Sequence, residues 1–195
     1  MKLATILSIA SMSISTVSMA DAPKPTLSGR TLIESVEVYN RGDVQFETTT
    51  HITNQGQLNV TLKKLDRSKG PATQSDLVTV AEMTTPLTWT ERREFRAMRN
   101  RLAVAPISVI QNGTVCAMYP SGLYAKSLSV AQIYTTLPGT AHVGPLKVIN
   151  NYPRCWYRQT IYPANASDRE LAQKLRNKVE SIAFAMVRDY VGYAK

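Results

Sequence analysis

From Val44 to Thr53 the chain alternates strictly, so that Val44, Phe46, Thr48, Thr50 and Ile52 share one face of a strand and Gln45, Glu47, Thr49 and His51 the other. Thr31 to Tyr39, rich in Ile and Val, reads as a strand before it, and Gln57 to Leu65 as one after it, with Leu58, Val60 and Leu62 on one side of the latter. Turn residues Asn40-Arg41-Gly42-Asp43 and Asn54-Gln55-Gly56 separate the three, which predicts an antiparallel meander. Leu77 to Met83 continues it as a fourth strand after a loop from Asp66 to Ser75.

The period then changes twice. Thr88 or Thr90 can cap a helix that carries Glu91 in its first turn, presents Phe95, Met98 and Leu102 as a core face, and stops before Pro106. At the other end of the chain, Leu171, Leu175, Val179, Ile182, Met186 and Tyr190 recur at intervals of four and three, behind a Ser167-Asp168-Arg169-Glu170 capping box. They predict a long amphipathic helix from about Asp168 to Tyr190, which either completes the core across the sheet or meets a partner or membrane surface.

Between the helices, Ile107 to Tyr119 has the form of a hairpin about Asn112-Gly113. Leu123 to Ser127, Val130 to Thr136, His142 to Asn150 and Cys155 to Tyr162 are further strands, the third shortened to an edge piece by Gly144 and Pro145. The sum is an α+β fold: a single domain with a mostly antiparallel β-sheet, a short middle helix and a long C-terminal amphipathic helix.

The first 20 residues place Lys2 before a mildly apolar, serine-diluted stretch that ends in Ser18-Met19-Ala20, the layout of a cleaved export signal. Residues 21–30, rich in proline and glycine, read as an extended leader, and residues 31–195 as the domain. A periplasmic or secreted product follows, with no transmembrane span in the mature chain. In that compartment Cys116 and Cys155 are expected to form a disulfide, closing a loop worth about 4 kcal/mol by chain entropy. Three N-x-S/T sequons, beginning at Asn59, Asn112 and Asn165, would be glycan sites in a eukaryotic secretory pathway.

The formal charge of +9 becomes +8 without Lys2, which favours anionic partners without choosing among them. Its densest expression is the segment TERREFRAMRNR, where Arg92, Arg96 and Arg99 fall at i, i+4 and i+7 and can form one ridge for phosphates or acidic side chains. The bland alternative is the solvated side of a helix whose arginines are paired through Glu91 and Glu94.

A second basic and aromatic group, Arg154, Trp156 and Arg158, shares one face if its strand alternates, although Trp156 is equally suited to the core. On the terminal helix Phe184, Val187 and Tyr190 widen the apolar sector and could dock a partner. His51 and His142 are the only histidines; together with the arginines they would suffice for metal-independent phosphodiester cleavage if the fold brought them together. His51 shares its strand face with Glu47, but at about 13 Å along a regular strand the two do not hydrogen-bond directly.

No metal-ligand spacing, nucleotide loop or serine elbow occurs, and neither a cofactor nor a metal is expected. The leading expectation is therefore an exported, basic, non-enzymatic protein-interaction or structural module, with another protein as partner. A small nuclease using His51 and His142 and a binder of anionic polymer, nucleic acid or membrane surface are the alternatives. Mass spectrometry of the exported product should find Asp21 at its N-terminus and a mass two hydrogens below that of the dithiol, restored by reduction.

Overall fold

The computed structural model describes residues 29–66, 68, 76–112, 122–137, 140–153 and 158–191. The segments expected to be a signal and most of a leader, both cysteines, Arg154 and Trp156 lie outside them. The described elements run β1 (Thr31–Arg41), β2 (Val44–Thr53), β3 (Gln57–Asp66), β4 (Val78–Pro86), α1 (Trp89–Val104), β5 (Ile107–Asn112), β6 (Gly122–Leu137), β7 (Thr140–Pro153), β8 (Arg158–Pro163) and α2 (Ala166–Val191). The protein is α+β, with all eight strands in one antiparallel sheet of order β4-β3-β2-β1-β6-β7-β8-β5.

The meander forms as its alternation requires. Phe46, Ile52, Leu58, Val60 and Leu62 turn to one face and are almost wholly buried, joined there by Ile33 of β1 and Leu128 and Val130 of β6. Gly42 and Gly56 take positive φ in the two connecting turns, where a side chain would be strained. The opposite face of β1 to β4 carries polar rungs. Asn59 donates to the Thr84 hydroxyl at 3.0 Å, Thr61 donates to the Asn59 carbonyl oxygen at 3.4 Å, and His51 Nε2 lies 3.2 Å from Glu34 Oε2 across β1. Asn59 is buried in this bonding.

β7 departs from the short edge piece expected. It runs 14 residues and lies between β6 and β8. Gly144 and Pro145 are absorbed where the register shifts between the pairs Ala131–Leu146 and Ile133–Val143, setting two residues opposite one. A proline without an N–H is tolerated at such a bulge. The two segments Leu123–Ser127 and Val130–Thr136 merge into one 16-residue strand, β6. β5 pairs with β8, and the other arm of the expected Asn112-Gly113 hairpin lies outside the described residues.

Both helices pack on the apolar face. The core stripe of α2 consists of Ala172, Leu175, Val179, Ala183, Val187 and Val191, with Leu171, Ile182 and Met186 flanking it and Tyr190 exposed. This stripe is rotated from the one expected because small alanines mark the line of closest approach to the sheet, while larger side chains fill the wedges beside it. Its start also differs from the Ser167 box. Asn165 bonds the Asp168 side chain at 3.3 Å and accepts from the Arg169 N–H, while Ser167 and Asp168 engage Arg101 of α1.

Leu175, fully buried at the centre of this contact, carries the docking of α2. Leu175→Ala is expected to lower the unfolding free energy by about 2–5 kcal/mol, measured from the urea midpoint at unchanged m-value.

Candidate functional site

The orientation of α1 is set at both ends and along its side. Thr88 caps it: the Glu91 N–H donates to the Thr88 hydroxyl, and Glu91 Oε2 accepts from the Thr88 N–H at 2.8 Å. Glu94 pairs with Lys178 of α2, and Arg101 donates to Asp168 at 2.7 Å. At the C-terminus Lys147 of β7 donates to the carbonyls of Leu102 and Ala105, a cation where the helix dipole is negative. Burial holds its pKa below the ordinary lysine value.

These contacts turn Phe95, Met98, Arg99 and Leu102 toward the sheet. An arginine thus occupies one position of an otherwise apolar i, i+3, i+4, i+7 stripe. Arg99 is 6% exposed, and its Nε and Nη1 are buried with no hydrogen-bond partner. The expected outward ridge is therefore corrected: Arg92 and Arg96 are exposed, while Arg99 points inward because the caps and Glu94–Lys178 fix the helix with that side down. The two carboxylates expected to neutralise the ridge are engaged elsewhere, Glu91 in the cap and Glu94 with Lys178.

The three arginines nonetheless converge. Arg92, Arg96 and Arg99 line one cleft with Leu32, Ile33, Ile52, Thr53, Asn54, Gly56, Leu87 and Phe95, between the start of α1 and the β2–β3 turn. Its free volume is about 20 Å³, on the order of one or two water-sized groups. Gly56 forms part of the wall at φ 77°, and a Cβ there would fall 2.1 Å from Arg92 Cδ. The absence of a side chain lets the Arg92 stem lie across the turn. Burial first, and the neighbouring Arg96 charge second, lower the pKa of Arg99. A guanidinium stays protonated in proteins regardless, so its charge is costly to bury unpaired.

The other sequence candidates are dispersed. His51 faces Glu34, whose pKa is lowered chiefly by the hydrogen bond to His51, with burial opposing and the His51 charge assisting. His142 stands opposite Tyr134 on β7. Following the register from His51 through Glu34, Ser129 and Val148, the two histidine backbones are about 20 Å apart along the sheet at ordinary strand spacings. Glu47 is opposite Lys63 and Val38 in register and no nearer to His142.

Arg158 opens β8, opposite Asn112 and Pro153. On α2, Val187 is 2% exposed and belongs to the core, so the expected apolar patch reduces to Phe184 and Tyr190, which are exposed. Beside the cleft Trp89 is 68% exposed, with Arg93 stacked 5.4 Å from its ring centre.

Among the described residues no group of three His, Cys, Asp or Glu side chains is placed to hold a metal ion, and no helix is long and apolar enough to cross a membrane. Comparison of the chain with protein-family models, with curated proteins and with solved structures finds no match.

The His51–Glu34 contact sets an acid dependence. The folded Glu34 pKa lies below the ordinary value of 4.5, so the unfolded chain takes up this proton first as the pH falls, and folding loses stability in that direction. The contribution is present above the ordinary carboxylate range and lost as pH drops through the folded value. Urea midpoints measured from pH 6 down to about pH 3 should therefore fall, and fall less steeply in Glu34→Gln.

Proposed function

We propose that the protein is an exported, non-enzymatic recognition module that binds another protein by receiving one of its carboxylates in the cleft of Arg92, Arg96 and Arg99. The observation that carries this reading is the buried Arg99 guanidinium with two donors unpartnered. Buried charges in folded proteins are paired, because an unpaired one is strongly destabilising. A carboxylate arriving from outside would supply the missing acceptor, and its second oxygen can reach the exposed Arg96 or Arg92.

Size favours a carboxylate over a polymer. The cleft accepts about two oxygen atoms, matching the tip of an acidic side chain or a chain terminus, whereas a polyanion needs a groove that tracks successive charges. Trp89 and the Arg93 stacked on it lie on the neighbouring surface of α1. They would serve as the aromatic and arginine anchors that dominate protein interfaces.

A signature separates this role from a structural one. Arg99→Met replaces an unpaired buried cation by an apolar side chain of similar length, and should raise the unfolding free energy by about 1–3 kcal/mol. The same change should weaken binding of an oligoglutamate peptide, followed by titration calorimetry, by about tenfold or more. An Arg99→Met protein that is less stable and binds the peptide as before would overturn the proposal. Heparin binding that exceeds peptide binding and survives Arg99→Met would assign the exposed arginines to a polyanion instead.

A further inference from the structure

A larger cavity lies under α2, away from the arginine cleft. It measures about 440 Å³, within the range of about 300–1,000 Å³ usual for small-molecule sites. Its floor follows from the register. On the face of β1 and β2 that meets the helix, the rungs Ser35–Thr50 and Glu37–Thr48 stand between the large apolar rungs Ile33–Ile52 and Tyr39–Phe46. Serine and threonine are too short to reach α2, which presents only Ala183 above them, and Glu37 reaches toward Lys126 of β6. Tyr39, stacked on Phe46 at 5.3 Å, together with Val187 and the half-exposed Phe184 supplies an apolar wall.

Three charged side chains line the cavity among the described residues: Glu37, Glu180 and Arg41. The two carboxylates are answered from within the fold. Lys126 lies 2.5 Å from Glu180 and 3.9 Å from Glu37, and the buried Arg176 attracts both. Arg176 Nε and Glu180 Oε1 have no hydrogen-bond partner, but they belong to residues four apart on α2, the spacing at which an arginine and a glutamate face each other. Two carboxylates, one ammonium and one guanidinium make this group balanced, and it needs no charge from a ligand.

Arg41 is the remaining lining charge. Its side chain shares the cavity face of β1 with Glu37 and Tyr39, and its Nη1 donates to the Val191 carbonyl at 2.9 Å, which holds the guanidinium at the end of α2. One such bond does not exhaust a group with five N–H donors. Nearby, Lys64 and Asp66 of β3 offset each other, and Asp43 is exposed in the turn beyond, where water and salt screen it. A carboxylate at the mouth would therefore meet Arg41 through charge-assisted hydrogen bonds. Val187, in the apolar wall, and Val191, which anchors the guanidinium, are one helical turn or about 6 Å apart, so the acid group and the apolar body of a ligand spanning them are separated by a few bonds.

We infer that this cavity binds a small amphipathic carboxylic acid, whose carboxylate meets Arg41 at the mouth while its apolar body packs against Tyr39, Val187 and Phe184. This site is separate from the arginine cleft and does not rest on that reading.

Three probes with the same indole body and different charge test it: indole-3-propionate (anionic), indole-3-propionamide (neutral) and homotryptamine (cationic). Titration followed by heteronuclear NMR should give saturable shifts for the anion, confined to amides of residues 35–41, 46–50 and 180–191. Its affinity should exceed that of the amide and of the amine by about tenfold. Arg41→Gln, at an exposed position, should reduce the anion to the affinity of the amide and leave the amide itself unchanged. Ala183→Leu, which fills the space, should abolish the shifts. Phe184→Ala, also exposed, should weaken binding of all three and keeps the test valid if the larger substitution unfolds the chain. Arg99→Met should leave every affinity unchanged, which separates this site from the arginine cleft.

Absence of saturable shifts with indole-3-propionate, equal or tighter binding of the amide or the amine, shifts mapping elsewhere, an anion preference that survives Arg41→Gln, or indifference to both cavity variants would each overturn the inference.

Discussion

The seating of α2 on the sheet is the contact on which the remaining architecture depends. Ala172 and Ala183 allow the helix axis to come close, and Leu175, Val179, Val187 and Val191 then fill the interval. α1 is held against this pair by Glu94–Lys178 and Arg101–Asp168, so its rotation is inherited from the position of α2. The direction in which Arg99 points is thus decided by ion pairs on the neighbouring helix as well as by its own stripe. The sheet beneath α2 is not uniformly apolar, and where Ser35, Glu37, Thr48 and Thr50 replace aliphatic residues the contact opens into a cavity edged by a balanced set of charges, with Arg41 at its mouth.

Both candidate sites therefore arise from the same kind of departure. In one, a cation occupies a core position; in the other, hydroxyls and a carboxylate occupy the floor under a helix. Each gives up packing that aliphatic side chains would have supplied, and each leaves polar atoms without partners inside the fold. Local sacrifices of stability of this sort are common where a surface is shaped for a ligand.

Much of the fold was legible in the chain. Period-two alternation located β2 and β3, because one face of each is buried and the other meets solvent or polar rungs, and richness in Ile and Val located β1. Thr88 and Glu91 announced the start of α1, and Phe95, Met98 and Leu102 its buried side. The stripe of α2 was harder to place, since large apolar residues weigh more in a periodic pattern than the alanines that define closest approach. Gly144 and Pro145 suggested an edge, whereas the bulge that accommodates them is produced by pairing with β6 and leaves no local mark.

The site was legible in part. Arg92, Arg96 and Arg99 were identifiable as a group, yet position 99 also completes the i, i+3, i+4, i+7 set begun by Phe95, and that coincidence was the available sign that one arginine turns inward. Gly56, Arg41, Ser35 and Glu180 join their sites only through tertiary contact, from segments that carry no motif.

The strand order has a bearing on how the molecule acquires its shape. β1 is hydrogen-bonded to β2 on one side and to β6 on the other, and the pairing of Glu34 with Ser129 spans almost half the chain. A chain emerging N-terminus first can close the β1–β4 meander early, but one border of β1 stays open until β6 arrives, and the part of the apolar face that α2 covers stays bare until that helix has been delivered. Compaction is consequently a late, non-local event. The unfinished intermediate displays a free strand border and an uncovered hydrophobic surface, the combination most prone to mispairing with other copies.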